Sequence, residues 1–184
     1  MRIVGGRHRG RRLTAPAGMD VRPTTDRTRE SLFNILAHAG WVGIEGAVVL
    51  DAFCGTGALG LEALSRGAER ATFLDSAGPS LAAARANIAA LGEDGRSLVL
   101  RGDATRPPKA PTAHSLAFLD PPYGCDLGPR ALAALAAGGW LAPGALAVVE
   151  EAASATFTLP DGFTTLDERR YGDTVLRFAT LGGA

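Results

Sequence analysis

Residues 48–64, VVLDAFCGTGALGLEAL, run from an apolar strand through a glycine-rich turn into an apolar helix, with an aspartate, Asp51, near the end of the strand. A strand, a turn free of side chains and a helix in direct succession make one βα unit, the part of an α/β domain that brings backbone amides against a nucleotide-like ligand. Gly55-Thr-Gly57-Ala-Leu-Gly60 has the Gly-x-Gly-x-x-Gly spacing. Glycine is needed there because only a turn without side chains lets a ligand touch the backbone. The carboxylate narrows the ligand class: a pyrophosphate is repelled by Asp51, whereas a cofactor carrying an ammonium is attracted. The reading favours S-adenosyl-L-methionine over a dinucleotide.

Outward from this unit, apolar strands alternate with helices. Strands are expected at 47–51, 71–75, 97–101, 115–119 and 145–150, with helices at 58–65, 79–91 and near 129–137, a βα alternation that implies a parallel, doubly wound sheet. Phe157–Leu159 and Thr174–Leu181 read as two further strands of an antiparallel closing hairpin. In such sheets the ligand lies at the carboxyl ends of the strands. Asp75 ends the second strand, 18 residues after Gly57, the position of a carboxylate that chelates ribose hydroxyls. Arg101-Gly-Asp103-Ala104 closes the third, where Asp103 can accept from an adenine amino group and Ala104 leaves room for the ring. Helix capping for Asp51, or a solvated turn for Asp103, is the structural alternative. The expected cofactor residues are Asp51, Phe53, Gly55, Gly57, Asp75, Asp103 and Ala104.

Asp120-Pro121-Pro122-Tyr123 follows the fourth strand, where sheet order is expected to reverse. An exocyclic amine on a base is a poor nucleophile because its lone pair is delocalised into the ring. The Asp120 carboxylate and the Pro121 carbonyl can each accept one amino hydrogen, leaving the lone pair directed at a methyl donor. Pro121 and Pro122 stiffen the loop, and Tyr123 offers a face on which a flipped base stacks. Catalysis by Cys125 through covalent attack is the competing idea. Cys54 and Cys125 are the only cysteines and suggest neither a disulfide nor a metal pair.

At 184 residues with zero formal net charge, one ordinary domain is expected, cytoplasmic and without a secretory leader. Residues 131–149 carry no charge, but Gly138-Gly139 and Pro143-Gly144 divide them into helix, turn and strand and argue against a membrane span. The neutral total hides an asymmetry. Residues 1–30 hold eight arginines against Asp20, Asp26 and Glu30, 8 − 3 = +5, leaving −5 for the remainder. Arginine outnumbers lysine 18 to 1 throughout the chain, so the choice of arginine means little, but its clustering suggests contact with nucleic acid. Residues 2–13 read as two short strands of a basic hairpin. An amphipathic helix follows, with Leu32, Ile35, Leu36 and Ala39 on one face and Gly40 ending it. The division expected is a basic extension over 1–40 and a core over 41–184.

With these residues in hand the chain resembles the RsmD family of bacterial methyltransferases. The resemblance rests on Met1-Arg-Ile-Val-Gly-Gly, Gly10-Arg-Arg-Leu, residues 22–36 (RPTTDRTRESLFNIL), residues 50–68 (LDAFCGTGALGLEALSRGA), Asp120-Pro-Pro-Tyr and Tyr171-Gly-Asp-Thr. Residues 22–36 are the narrowest marker, the glycine loop and Asp-Pro-Pro-Tyr being common to many amino-methyltransferases. The resemblance implies a class I S-adenosylmethionine-dependent methyltransferase fold: Rossmann-like α/β, a mostly parallel seven-stranded sheet with an antiparallel C-terminal hairpin, plus a β-hairpin and helix extension. It further implies methyl transfer to the N2 amine of a guanine in 16S ribosomal RNA, with a small-subunit ribosomal particle as partner and the enzyme a monomer. The arginines expected to meet RNA are Arg7, Arg9, Arg11, Arg12, Arg22 and Arg27. Arg29 also lies in the marker segment, whose arginines can hold phosphate, shape the cleft or pin the helix to the core. Three other readings stay open: an adenine-N6 methyltransferase on RNA or DNA, a nicotinamide-dependent oxidoreductase, and a non-enzymatic RNA-binding module.

Overall fold

The computed structural model describes residues 1–15, 25–122 and 126–183. Seven strands form one sheet: β1 (Val48–Ala52), β2 (Arg70–Asp75), β3 (Ser97–Arg101), β4 (His114–Leu119), β5 (Leu141–Ala152), β6 (Phe163–Tyr171) and β7 (Thr174–Leu181). Four helices accompany them: α1 (Asp26–His38), α2 (Ala58–Ser65), α3 (Gly78–Leu91) and α4 (Leu127–Ala137). The order across the sheet is β3-β2-β1-β4-β5-β7-β6, with β1 to β5 parallel and β7 antiparallel to both β5 and β6. The order therefore reverses between β1 and β4, where a ligand crevice opens in sheets of this kind. The expected α/β architecture and its closing hairpin are borne out.

Successive residues of each central strand face opposite sides, and each side is covered. Val49, Phe73, Phe118 and Val148 face α1, α2 and α3 through Leu32, Phe33, Leu61, Leu64, Leu81 and Ile88. Leu50, Leu74, Leu119 and Val149 face α4 and Trp140 on the other side. This double burial explains why these strands read as continuous apolar runs rather than as alternating ones.

Two expectations about the strands are corrected. The closing hairpin pairs Thr174–Leu181 with Phe163–Tyr171, not with Phe157–Leu159. β6 is an edge strand, mostly exposed, and its threonines and charges hide it from an apolar-pattern reading. Phe157 instead lies under the Arg177 guanidinium, 4.7 Å from ring centroid to cation. β5 also runs through Pro143-Gly144 rather than starting after it. Between the pairs His114↔Leu141 and Leu116↔Leu146, β4 advances two residues and β5 five, so the Pro-Gly turn is absorbed as a bulge.

The N-terminal segment departs from the hairpin expected. It makes one antiparallel bridge, Arg2↔Arg12, with Ile3 N–H donating to Arg11 O (2.9 Å) and Gly10 N–H to Ile3 O (2.8 Å), around a 3₁₀ turn at Gly6–His8. Close approach explains the shape. A Cβ on Gly6 would stand 2.0 Å from the Ser65 carbonyl oxygen, so the segment lies directly on the end of α2. Ile3 and Leu13 belong to the same apolar cluster as α1, α2 and α3. Among the described residues no helix is long and apolar enough to cross a membrane.

Candidate active site

The glycine loop is anchored from the ends of two neighbouring strands. Asp51 is buried, and its Oδ2 accepts the Gly60 N–H at 2.8 Å, satisfying one of the free amides of the first turn of α2. The capping alternative for Asp51 is thus realised, and it does not exclude a ligand role, since the same side chain lines a cavity. Burial pushes the Asp51 carboxyl up to about 8, the Asp75 carboxylate adding to the effect against the Gly60 hydrogen bond. Asp75 accepts from Gly55 N–H (3.0 Å) and from Ala77 N–H (2.8 Å), joining the loop to the start of α3.

The three loop glycines serve different ends. A Cβ on Gly60 would stand 2.4 Å from the Phe73 ring, and one on Gly57 3.2 Å from it, so both permit α2 to pack on β2. A Cβ on Gly55 would meet nothing within 4 Å, so that residue borders open space where a ligand can approach the backbone. Next to it Phe53 holds a left-handed backbone, φ 60°, unusual for a bulky residue and of a kind concentrated at functional sites.

A cavity of about 100 Å³ opens beside this loop and brings together Asp51, Phe53, Gly55 and Asp120. Asp120 directly follows β4, at the reversal point of the sheet; Pro121 is buried and Pro122 exposed. Tyr123, Cys125 and Arg22 lie outside the described residues. The cavity wall also contains Met1 and Cys54, which the sequence reading did not place there, and Arg29, for which shaping the cleft was one of three alternatives. Arg29 is buried and donates to Asp26 Oδ1 (2.8 Å) and to the Arg2 carbonyl oxygen. One signal did point to it. Arg29 precedes Leu32, Phe33 and Leu36 at helical spacing, a charge on the apolar stripe of α1. Burial raises the Cys54 thiol far above its ordinary range, with Asp51 and Asp75 adding to the rise, so no thiolate nucleophile stands in the cavity wall.

Asp103 and Ala104 lie beyond β3, outside that cavity wall. Asp103 Oδ1 accepts from the Thr105 amide and hydroxyl, both at 2.8 Å, and these bonds hold its carboxyl below the usual range. Ala104 is buried in the α4-side core. Of the basic candidates, Arg7 pairs with buried Glu93, and Arg11 donates to the Ala90 carbonyl oxygen at 2.7 Å. Arg9, Arg12 and Arg27 are exposed. Among the described residues no group of His, Cys, Asp and Glu is arranged to hold a metal.

The open backbone at Gly55 and the buried Asp51 carboxyl, which an adjacent cation would hold ionised, fit a cofactor with a cationic end. Such a cofactor would lie with that end against Asp51.

Comparison with known proteins places this geometry in a family. Residues 1–180 match the family model described as conserved hypothetical protein 95. The chain is 38% identical over 178 residues to ribosomal RNA small subunit methyltransferase D of Escherichia coli (strain K12), covering 96% of this chain and 88% of the relative. The protein of that name from Haemophilus influenzae is 33% identical over 176 residues, 94% of this chain and 89% of the relative. A solved Escherichia coli structure, described as a methyltransferase, superposes with a TM-score of 0.86 at 37% identity, covering 100% of this chain and 99% of that one. The chain belongs to the conserved hypothetical protein 95 family, the RsmD family of ribosomal RNA small subunit methyltransferases.

Proposed function

We propose that this protein transfers a methyl group from S-adenosyl-L-methionine to the N2 amine of a guanine in small-subunit ribosomal RNA. The observation that carries the reading is that Asp51 and Asp120, from neighbouring parallel strands, line one cavity. Asp51 supplies a buried carboxyl for the cofactor's ammonium, and Asp120 a carboxylate for the target amine. The relatives named for methylation of ribosomal RNA support the substrate class.

The cavity lined by Asp51, Gly55 and Asp120 would take the end of the cofactor that carries the ammonium and the methyl group. The adenosine end would be held by Asp75 and Asp103, each of which keeps acceptor capacity beyond the bonds it already makes. When bound, the cofactor supplies a methyl group on a sulfonium. Asp120 and the Pro121 carbonyl accept the two hydrogens of the amine, fixing its plane so that the lone pair points away from them. As nitrogen gains the methyl group and becomes acidic, the Asp120 carboxylate is placed to accept the proton it sheds. Tyr123 gives the extruded base a stacking surface. The enzyme works as a cytoplasmic monomer on a ribosomal particle.

Asp120→Ala tests the assignment. Methyl transfer to ribosomal RNA falls by at least about a hundredfold, the usual scale for a positioned proton acceptor, while calorimetric binding of S-adenosylmethionine persists. Equal loss of cofactor affinity and turnover refutes the division of labour between Asp51 and Asp120.

A further inference from the structure

A second hollow, of about 300 Å³, lies between the N-terminal segment and the first turn of α1, walled by Arg2, Arg9, Gly10, Asp26, Arg27 and Glu30. The exposed arginines of this region divide into two groups. Arg7 and Arg11 already have partners within the protein, buried Glu93 and the Ala90 carbonyl oxygen. Glu93 has its other partners in His8, whose Nε2 is 2.6 Å away, and in Arg96, whose Nη2 is 2.7 Å away, so this cluster clamps the segment onto the end of α3. Arg9 and Arg27 both line the hollow, are exposed, and have no hydrogen-bond or ion-pair partner among the described residues.

Arg29 links the hollow to the active-site cavity: it lines the cavity and donates to Asp26 Oδ1 and the Arg2 carbonyl oxygen, both residues of the hollow. Asp26 is also approached by Arg2, Nε to Oδ2 3.4 Å. Its charge is therefore already answered from two sides, and with Arg29 counted the local balance is four arginines against Asp26 and Glu30, 4 − 2 = +2. A cationic hollow one side chain away from a site for a base suits the sugar-phosphate backbone that carries the base.

We infer that this hollow grips a phosphodiester of the RNA strand adjoining the target nucleotide, with Arg9 and Arg27 as the two contacts, whereas Arg7 and Arg11 only hold the segment in place. The inference rests on the reading that RNA is the substrate, and it divides a charge that the sequence presents as a single basic arm.

The experiment measures affinity of the full chain for a small-subunit ribosomal RNA transcript across a salt series, with Arg9→Ala, Arg27→Ala, the double variant, Arg7→Ala and Arg11→Ala. Removing an arginine that neutralises one phosphate reduces the slope of log affinity against log salt by about 1. Arg9→Ala and Arg27→Ala are expected to do so singly and the double variant by about twice that, all three keeping wild-type melting temperature and S-adenosylmethionine affinity. Arg7→Ala and Arg11→Ala are expected to keep the slope and to melt earlier. Wild-type slopes in Arg9→Ala and Arg27→Ala overturn the inference, as does a slope change carried by Arg7 or Arg11. In either case, continued methylation of ribosomal RNA leaves the proposed function standing. A wild-type protein that neither binds nor methylates ribosomal RNA overturns the proposed function and this inference with it.

Discussion

Replacing Asp51 by asparagine separates the two tasks of this side chain. The Gly60 N–H can bond to an asparagine oxygen as it does to Asp51 Oδ2, so the cap on α2 survives while the ionisation is removed. In the cofactor-free protein the Asp51 carboxyl is raised by burial from 3.8 to about 8. Well below pH 3.8 both folded and unfolded chains carry it protonated, and its contribution to stability is fully present. As pH rises, the unfolded chain ionises first, and that contribution is lost progressively until the folded pKa is passed. At about 1.36 kcal/mol per unit, the loss is about 2 kcal/mol at pH 5 and about 4 kcal/mol at pH 7. Asp51→Asn abolishes this slope. Urea unfolding of both proteins without cofactor, from pH 5 to 8, should show the variant gaining on the wild type by roughly 2–3 kcal/mol between pH 5 and 7, the difference between those two losses. At pH 7 the gap corresponds to roughly ten degrees in melting temperature for a chain of this size. The same variant should bind S-adenosylmethionine more weakly, because the ammonium loses its carboxylate. Parallel stability curves for the two proteins across this range refute the reasoning.

Other consequences follow from individual interactions. Gly60→Ala drives a methyl group into the buried Phe73 ring edge, an overpacking expected to cost about 1–3 kcal/mol, measurable by urea unfolding. Asp75→Ala frees the amides of Gly55 and Ala77 and should weaken S-adenosylmethionine binding about tenfold or more by calorimetry, an energy of about 1.4 kcal/mol. His114 is buried between the Trp140 carbonyl (2.8 Å) and the Thr72 hydroxyl (3.0 Å), and burial holds its pKa below 6.5. The unfolded chain therefore takes up this proton first as pH falls. The stabilising contribution of neutral His114, present above pH 6.5, is lost on acidification, and His114→Gln should flatten the wild-type decline in melting temperature below pH 6.5.

What the sequence made legible is what local chemistry determines. The segment β1–loop–α2 could be read because a doubly buried strand is apolar throughout and because its turn demands glycine. Asp120 could be read because it follows the next parallel strand directly. β6 could not, since an edge strand open to solvent keeps Thr164, Thr165, Glu168 and Arg169 exposed and has no apolar period. The pairing of Arg7 with Glu93 and of Arg11 with Ala90 spans 86 and 79 residues, and no local pattern encodes it. The same holds for Met1 in the cavity wall, which it reaches because the N-terminal segment docks on α2 and α3; for Arg29 the cleft was one of three alternatives, and its place on an apolar stripe was a visible hint.

The central claim is that the amine held by Asp120 belongs to a guanine in ribosomal RNA. The most direct test incubates the protein with methyl-labelled S-adenosylmethionine and small-subunit particles from cells lacking the enzyme, then digests the RNA and identifies the labelled nucleoside. The account predicts N2-methylguanosine. Label in N6-methyladenosine, or RNA without label while the protein binds the cofactor, contradicts it.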